Sequence, residues 1–159
     1  MAAPNRTPLT SKALATLVLC AAVGVFLGVS SYTFVYANGA SYLSNNPEAC
    51  VNCHIMREQF DNWRHASHHA AATCNDCHVP HDLIGKYFAK ALHGYRHSKA
   101  FTFQDFHEPI RITAADLTIV ENNCRRCHEA LVQDINGAFS AHSEKADCVH
   151  CHSSAGHGQ

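Results

Sequence analysis

The sequence predicts a mainly α-helical protein: one N-terminal transmembrane helix, then a small domain of short helices and loops built around covalently held cofactors. Three observations carry that prediction. An almost wholly apolar run fills residues 14–36, eight of the nine cysteines fall in four copies of one short motif, and fourteen histidines accompany them in only 159 residues. A formal net charge of -1 gives no electrostatic footprint for nucleic acid. A chain this short cannot bury a large apolar core of its own, so bulky cofactors at its centre would supply what the side chains lack.

The first element is the span. No charged side chain occurs between Lys12 and Glu48, and Leu14–Tyr36 is long enough to cross a bilayer as a helix. Arg6 and Lys12 precede the run without any acid, so the positive-inside rule keeps residues 1–13 in the cytoplasm and sends the rest outward. In a Gram-negative cell this means a single-pass inner-membrane protein, with an anchor at 14–36 and a periplasmic domain at 41–159. A cleaved signal peptide, cut near Ala37–Ala40, is the competing reading, but the apolar run is longer than a usual signal core. Cys20 reads as a small apolar residue within the span. Gly24 and Gly28 form a small-x-x-x-small face suited to packing against another span.

The domain is defined by its motifs: Cys50-Val-Asn-Cys53-His54, Cys74-Asn-Asp-Cys77-His78, Cys124-Arg-Arg-Cys127-His128 and Cys148-Val-His-Cys151-His152. Each reads C-x-x-C-H, the pattern in which two thiols form thioethers to a porphyrin and the adjacent His reaches the iron. Zinc also uses C-x-x-C pairs but has no need of a His after every second Cys. A structural disulfide is poorly served by a two-residue gap, which suits a redox catalyst better. Four covalently bound haem c groups follow, at roughly thirty residues per haem. The other histidines, His65, His68, His69, His81, His93, His97, His107, His142, His150 and His157, exceed the four needed to close the far side of each iron. Asn45-Asn46-Pro47-Glu48 reads as a helix start ahead of the first motif, and β-structure is expected to be minor.

Between the second and third motifs, Leu83, Ile84, Tyr87, Phe88, Ala91, Leu92 and Tyr95 recur at helical spacing among Lys86, Lys90, Arg96 and Lys99. This predicts a basic amphipathic helix over residues 82–99, with two placements open: packed on the haem domain, or lying in the headgroup layer. Lys90 and His97, seven residues apart, project from nearly the same side and could face one ligand. Phe101, Phe103 and Phe106 could line an apolar pocket beside them.

With its single span, four motifs and the string Cys50-Val-Asn-Cys53-His54-Ile55-Met56, the chain resembles the NapC/NirT/NrfH family of membrane quinol dehydrogenases over essentially its whole length. Cys74-Asn-Asp-Cys77-His78 followed by Pro80-His81, and Glu108-Pro109-Ile110, make it most similar to the NrfH type, the small subunit of cytochrome c nitrite reductase. The resemblance implies that Met56, not His54, ligates the first iron, that His78 pairs with His157 on the second haem, and that His128 pairs with His69 on the third. It gives His152 as proximal ligand of the fourth, whose other position a Lys of a pentahaem, NrfA-like catalytic partner fills. It further implies a menaquinol site beside the first haem at Lys90, with His97 where some members carry Asp; His97 either contacts quinol or closes the first iron.

The implied activity is oxidation of menaquinol from the membrane pool, with electrons passed through four haems to a periplasmic reductase. Three alternatives remain at this level. One is a NapC-type carrier and anchor that feeds another reductase and has no nitrite chemistry. A second is a carrier without any quinol site. A third is a terminal reductase, for which so short a chain can scarcely build the pocket.

Overall fold

A computed structural model describes residues 10–139 and 147–157; Arg6 and His142, named above, lie outside them. The order is α1 (Ser11–Tyr36), three 3-10 segments (Gly39–Leu43, Pro47–Asn52, His54–Met56), α2 (Arg57–His65), α3 (Cys74–His78), α4 (Leu83–Phe103), α5 (Ala114–Cys127), α6 (Glu129–Phe139) and α7 (Cys148–Cys151). No strand occurs among the described residues, in line with the mainly α prediction. The chain divides into two compact units, Met1–Gly39 and Ala40–Gln159.

The first unit is α1, a 26-residue helix with no buried residue and enough length and apolarity to cross a membrane. The Thr10 hydroxyl caps it by accepting from the Ala13 amide at 3.4 Å.

In the second unit, short polar side chains start five of the helical segments. Asn46 accepts from the Glu48 amide at 3.3 Å at the expected start before the first motif. The Asp76 carboxylate accepts from Thr73 N at 2.8 Å and from its hydroxyl at 2.7 Å, holding the entry to α3. Asp82, Thr113 and Asp147 cap α4, α5 and α7 through Gly85, Asp116 and His150 amides. These caps matter because α3 and α7, at five and four residues, are too short to persist alone. α5 is the hub, packing on α3, α6 and α7, while α2 packs on the first-motif segments.

Among the described residues the only buried apolar side chains are Val79 and Ala89; Lys90, Glu121 and Asn123 are buried beside them. α4 continues four residues past the predicted run and turns its apolar side outward. Ile84 is 83% exposed and Phe88 69%, while Lys90 is 4% exposed. Its inner face carries Lys90 and His93 beside Ala89, so α4 packs on the domain largely through polar side chains. Phe101, Phe103 and Phe106 stand exposed.

Candidate functional site

Three motifs ride on helices: Cys74 and Cys77 in α3, Cys124 and Cys127 at the end of α5, Cys148 and Cys151 in α7. Residues three apart on a helix share a face, so both thiols of a motif are presented together. His78 ends α3, and His128 and His152 are the C-caps of α5 and α7, one step beyond the second thiol. The motifs are also neighbours in chain order. The Cys50 and Cys74 side chains are neighbours, Asn123 Nδ2 donates to the carbonyls of Cys77 and Val79 at 2.9 and 3.0 Å, and Glu121 accepts from the Cys148 and Val149 amides at 3.1 and 2.8 Å.

Two imidazole pairs face each other. His78 and His157 have ring centres 5.9 Å apart, and His68 and His128 6.0 Å. The far member of each pair is oriented by backbone: His157 Nδ1 lies 3.0 Å from the Gln59 carbonyl and His68 Nδ1 3.1 Å from that of Ala155. A carbonyl only accepts, so Nδ1 carries the proton in each ring and Nε2 keeps the lone pair. Burial, with help from the nearby His157 and His93, pushes His78 down to about 4, which holds it in the neutral form a metal ligand needs.

The partner for His128 differs from the sequence expectation. His69 is exposed and sets its ring edge-on to Trp63, centres 4.9 Å apart, whereas half-buried His68 faces His128. The two sit side by side in a turn, where adjacent side chains diverge and only one can point inward. Trp63 Nε1 donates to the Ala72 carbonyl at 3.0 Å and so fixes that turn.

The first motif has a different surrounding. His54 is exposed and Met56 half-buried at the two ends of one 3-10 turn. Lys90 reaches over this region: Nζ donates to Ser44 O at 2.6 Å, to Asn45 Oδ1 at 2.9 Å and to Leu43 O at 3.4 Å. Burial lowers the Lys90 ammonium below the usual lysine range and Lys86 adds to this. His97, on the same side of α4, has Nδ1 3.1 Å from the Tyr42 hydroxyl. Surrounding atoms and His93 lower His97, with Asp116 opposing. His93 Nε2 is 3.0 Å from Asp116 Oδ1, and Arg96 is 3.5 Å from the other oxygen. Burial alone would raise the Asp116 carboxyl, but bonds from Thr113 and His93 and the charges of His93 and Arg96 hold it below the usual range.

Tyr42, His68, Asp116, Glu121 and Asn123 were not singled out by sequence reasoning. A polar residue in an otherwise ordinary helix shows no pattern that marks it as buried. Only His68 had a visible signal, as the neighbour of the residue chosen.

A profile described as the NapC/NirT cytochrome c family, N-terminal region, matches residues 10–159. The chain belongs to the NapC/NirT cytochrome c family. Among this family's members it is 35% identical to cytochrome c-type protein NrfH of Wolinella succinogenes over 85% of this chain and 81% of that protein. It is 32% identical to cytochrome c nitrite reductase subunit NrfH of Nitratidesulfovibrio vulgaris over 84% and 80%. A crystal structure of the cytochrome c nitrite reductase NrfHA complex bound to the HQNO inhibitor contains a chain of the same fold, with TM-score 0.58, 28% identity, and 86% and 87% of the two chains covered.

Membership in a cytochrome c family implies covalently bound haem c, and the residues present fit it. Each motif presents two thiols and a His together. An imidazole nitrogen bonds a transition metal at roughly 2 Å; with about 1 Å from nitrogen to ring centre, two imidazoles on one iron have centres roughly 6 Å apart, as both pairs do. A flat apolar porphyrin also suits a domain whose own apolar core is so small. The established role of the chain is thus that of an electron-transfer cytochrome c.

Proposed function

We propose that this chain is a membrane-anchored tetrahaem quinol dehydrogenase that oxidises menaquinol and passes the electrons to a periplasmic reductase. Residues 14–36 anchor it in the inner membrane, residues 1–13 are cytoplasmic, and residues 41–159 form the periplasmic domain. The observation that carries the reading is Lys90: a buried amine beside the first motif, on the same helix face as His97.

The chemistry follows from the atoms. A quinol losing two electrons also loses two protons, so its hydroxyls need acceptors. Lys90 Nζ has two short acceptors and one long one, so a neutral amine can meet the two short ones with its N–H groups and keep its lone pair. A proton taken there supplies the third donor, for Leu43 O. With Nδ1–H donating to Tyr42, His97 Nε2 is the second acceptor, and the resulting imidazolium has Asp116 one helical turn away through His93. Cys50 and Cys53 would hold a haem c here, with Met56 available as iron ligand, and that group would supply the electron acceptor; Met ligation favours the reduced form. The motif order, first to second to third to fourth, supplies the path away from the site.

For the other haems, Cys74 and Cys77 with His78 and His157 hold the second, and Cys124 and Cys127 with His128 hold the third, where His68 replaces His69 as the far ligand. Cys148, Cys151 and His152 would hold the fourth, whose other position a Lys from the catalytic NrfA-like subunit would fill. The names of the two NrfH relatives and of the NrfHA complex support that partner. A second reading, a carrier feeding another reductase, is favoured by a 27% match to NapC of Escherichia coli over 96% of this chain.

Lys90→Leu tests the site. Quinol oxidation is expected to vanish with the haem content unchanged, and undiminished turnover in that variant refutes the site. Co-purification of a pentahaem nitrite reductase from membranes decides between the two partner readings.

A further inference from the structure

We propose that Asn123 is a positioning residue for the electron-transfer chain: its side-chain amide fixes the backbone on both sides of His78 and thereby aims that imidazole at its iron. The need arises from helix geometry. α3 is five residues long and ends at His78, and the last four carbonyls of a helix have no partner within it. Asn123, on α5, supplies donors from across the domain. Its Nδ2 lies 2.9 Å from Cys77 O and 3.0 Å from Val79 O, so one NH2 group gives both hydrogens to the two carbonyls that flank His78. Two acceptors at one nitrogen also leave the amide a single orientation.

Burial gives those bonds their weight. Asn123 is 8% exposed and Val79 3%, so water does not stand in for the amide, and removing it leaves buried carbonyls unsatisfied. The Cys77 carbonyl belongs to the peptide bond leading into His78 and the Val79 carbonyl to the one leaving Val79, so the backbone from which the imidazole projects is held at each end. His157, which faces His78 at 5.9 Å with the ring planes 37° apart, is oriented at its own ring, by Nδ1 donating to the Gln59 carbonyl at 3.0 Å. His78 is oriented through the chain instead. Asn123 also directly precedes Cys124, so the same two bonds hold the third motif against the second. Glu121, the other buried polar residue of α5, makes a useful contrast: it binds the Cys148 and Val149 amides at the entry of α7, away from His152, and so docks a helix without aiming a ligand.

The role rests on the reading of His78 and His157 as iron ligands, and the test separates the two. Electron paramagnetic resonance of the oxidised, haem-loaded full-length chain assigns to the second motif the low-spin signal that His157→Ala removes. The position of such a signal depends on the angle between the two imidazole planes. Asn123→Leu, close in shape but without donors, is expected to shift and broaden that signal at unchanged haem content and to leave the other signals in place. Asn123→Ser, with one hydroxyl donor for two carbonyls, should shift it less. Glu121→Ala, which loosens the same helix elsewhere, should not move it. A parental signal in Asn123→Leu overturns the role, as does an equal shift in Glu121→Ala, which would make Asn123 merely structural. Should the Leu variant load less haem, Asn123→Ser decides, and a parental signal there overturns the role. If His157→Ala removes no signal, the ligand assignment falls and Asn123 with it; a signal lost there but unmoved by either Asn123 variant removes Asn123 alone.

Discussion

The Lys90 edge and the region of the facing imidazoles use the same residue types in opposite ways. Around α2, α3, α5 and α7, histidines are anchored at Nδ1 by the carbonyls of Gln59 and Ala155, which cannot exchange a proton under ordinary conditions. Along α4, His97 and His93 are bonded to Tyr42 and Asp116, groups that can. Backbone anchoring fixes one tautomer and direction, which suits a permanent metal ligand. Side-chain anchoring leaves protonation adjustable, which suits acid–base work. On the function proposed above, electron carriage and proton handling are separated by what each imidazole is bonded to.

The largest effect expected is on the first kind of histidine. His157→Ala and His68→Ala should each abolish the low-spin signal of one haem in electron paramagnetic resonance, while His69→Ala leaves all signals in place. Loss on His69→Ala instead would return the third haem to the ligand expected from sequence. At the second kind of site, His97→Gln should cut quinol oxidation by about ten- to a hundredfold with no change in haem content, measured by stopped-flow reduction. Loss of a haem spectral feature in that variant would make His97 an iron ligand and break the contrast.

A smaller effect is expected in the pH profile. Lys90 accepts a proton only when neutral, and its pKa is lowered below 10.5. Turnover should therefore rise with pH, reaching its midpoint below the value of a free lysine. A rate independent of pH across the neutral and alkaline range would remove Lys90 as the base.

Stability offers two finer tests. Glu121 holds the Cys148 and Val149 amides and Arg125, the last at 2.9 Å, so Glu121→Ala should destabilise the domain by about 2–4 kcal/mol in urea titration. Asp116 has a folded pKa below its ordinary 3.8, so its contribution is present above that value and lost as pH falls through the folded pKa. Asp116→Asn should cost about 1 kcal/mol or less near neutrality, and the difference from the parent should close in acid. A gap that persists after Asp116 is protonated would assign the effect to packing.

Covalent pattern and local periodicity were readable in the residues alone: the span at 14–36, the four C-x-x-C-H copies, the helical run from Leu83 and the Lys90–His97 spacing. Each depends on residues close in the chain, where helix geometry makes spacing equivalent to position. What the tertiary structure decided are choices between neighbours and between faces. His68 rather than His69 faces His128 because only one of two adjacent side chains in a turn can point inward. α4 turns its apolar face outward because Lys90, His93 and His97 find their partners on Ser44, Asp116 and Tyr42, which lie 46, 23 and 55 residues away along the chain. Such partners meet only after folding, and no local pattern encodes them.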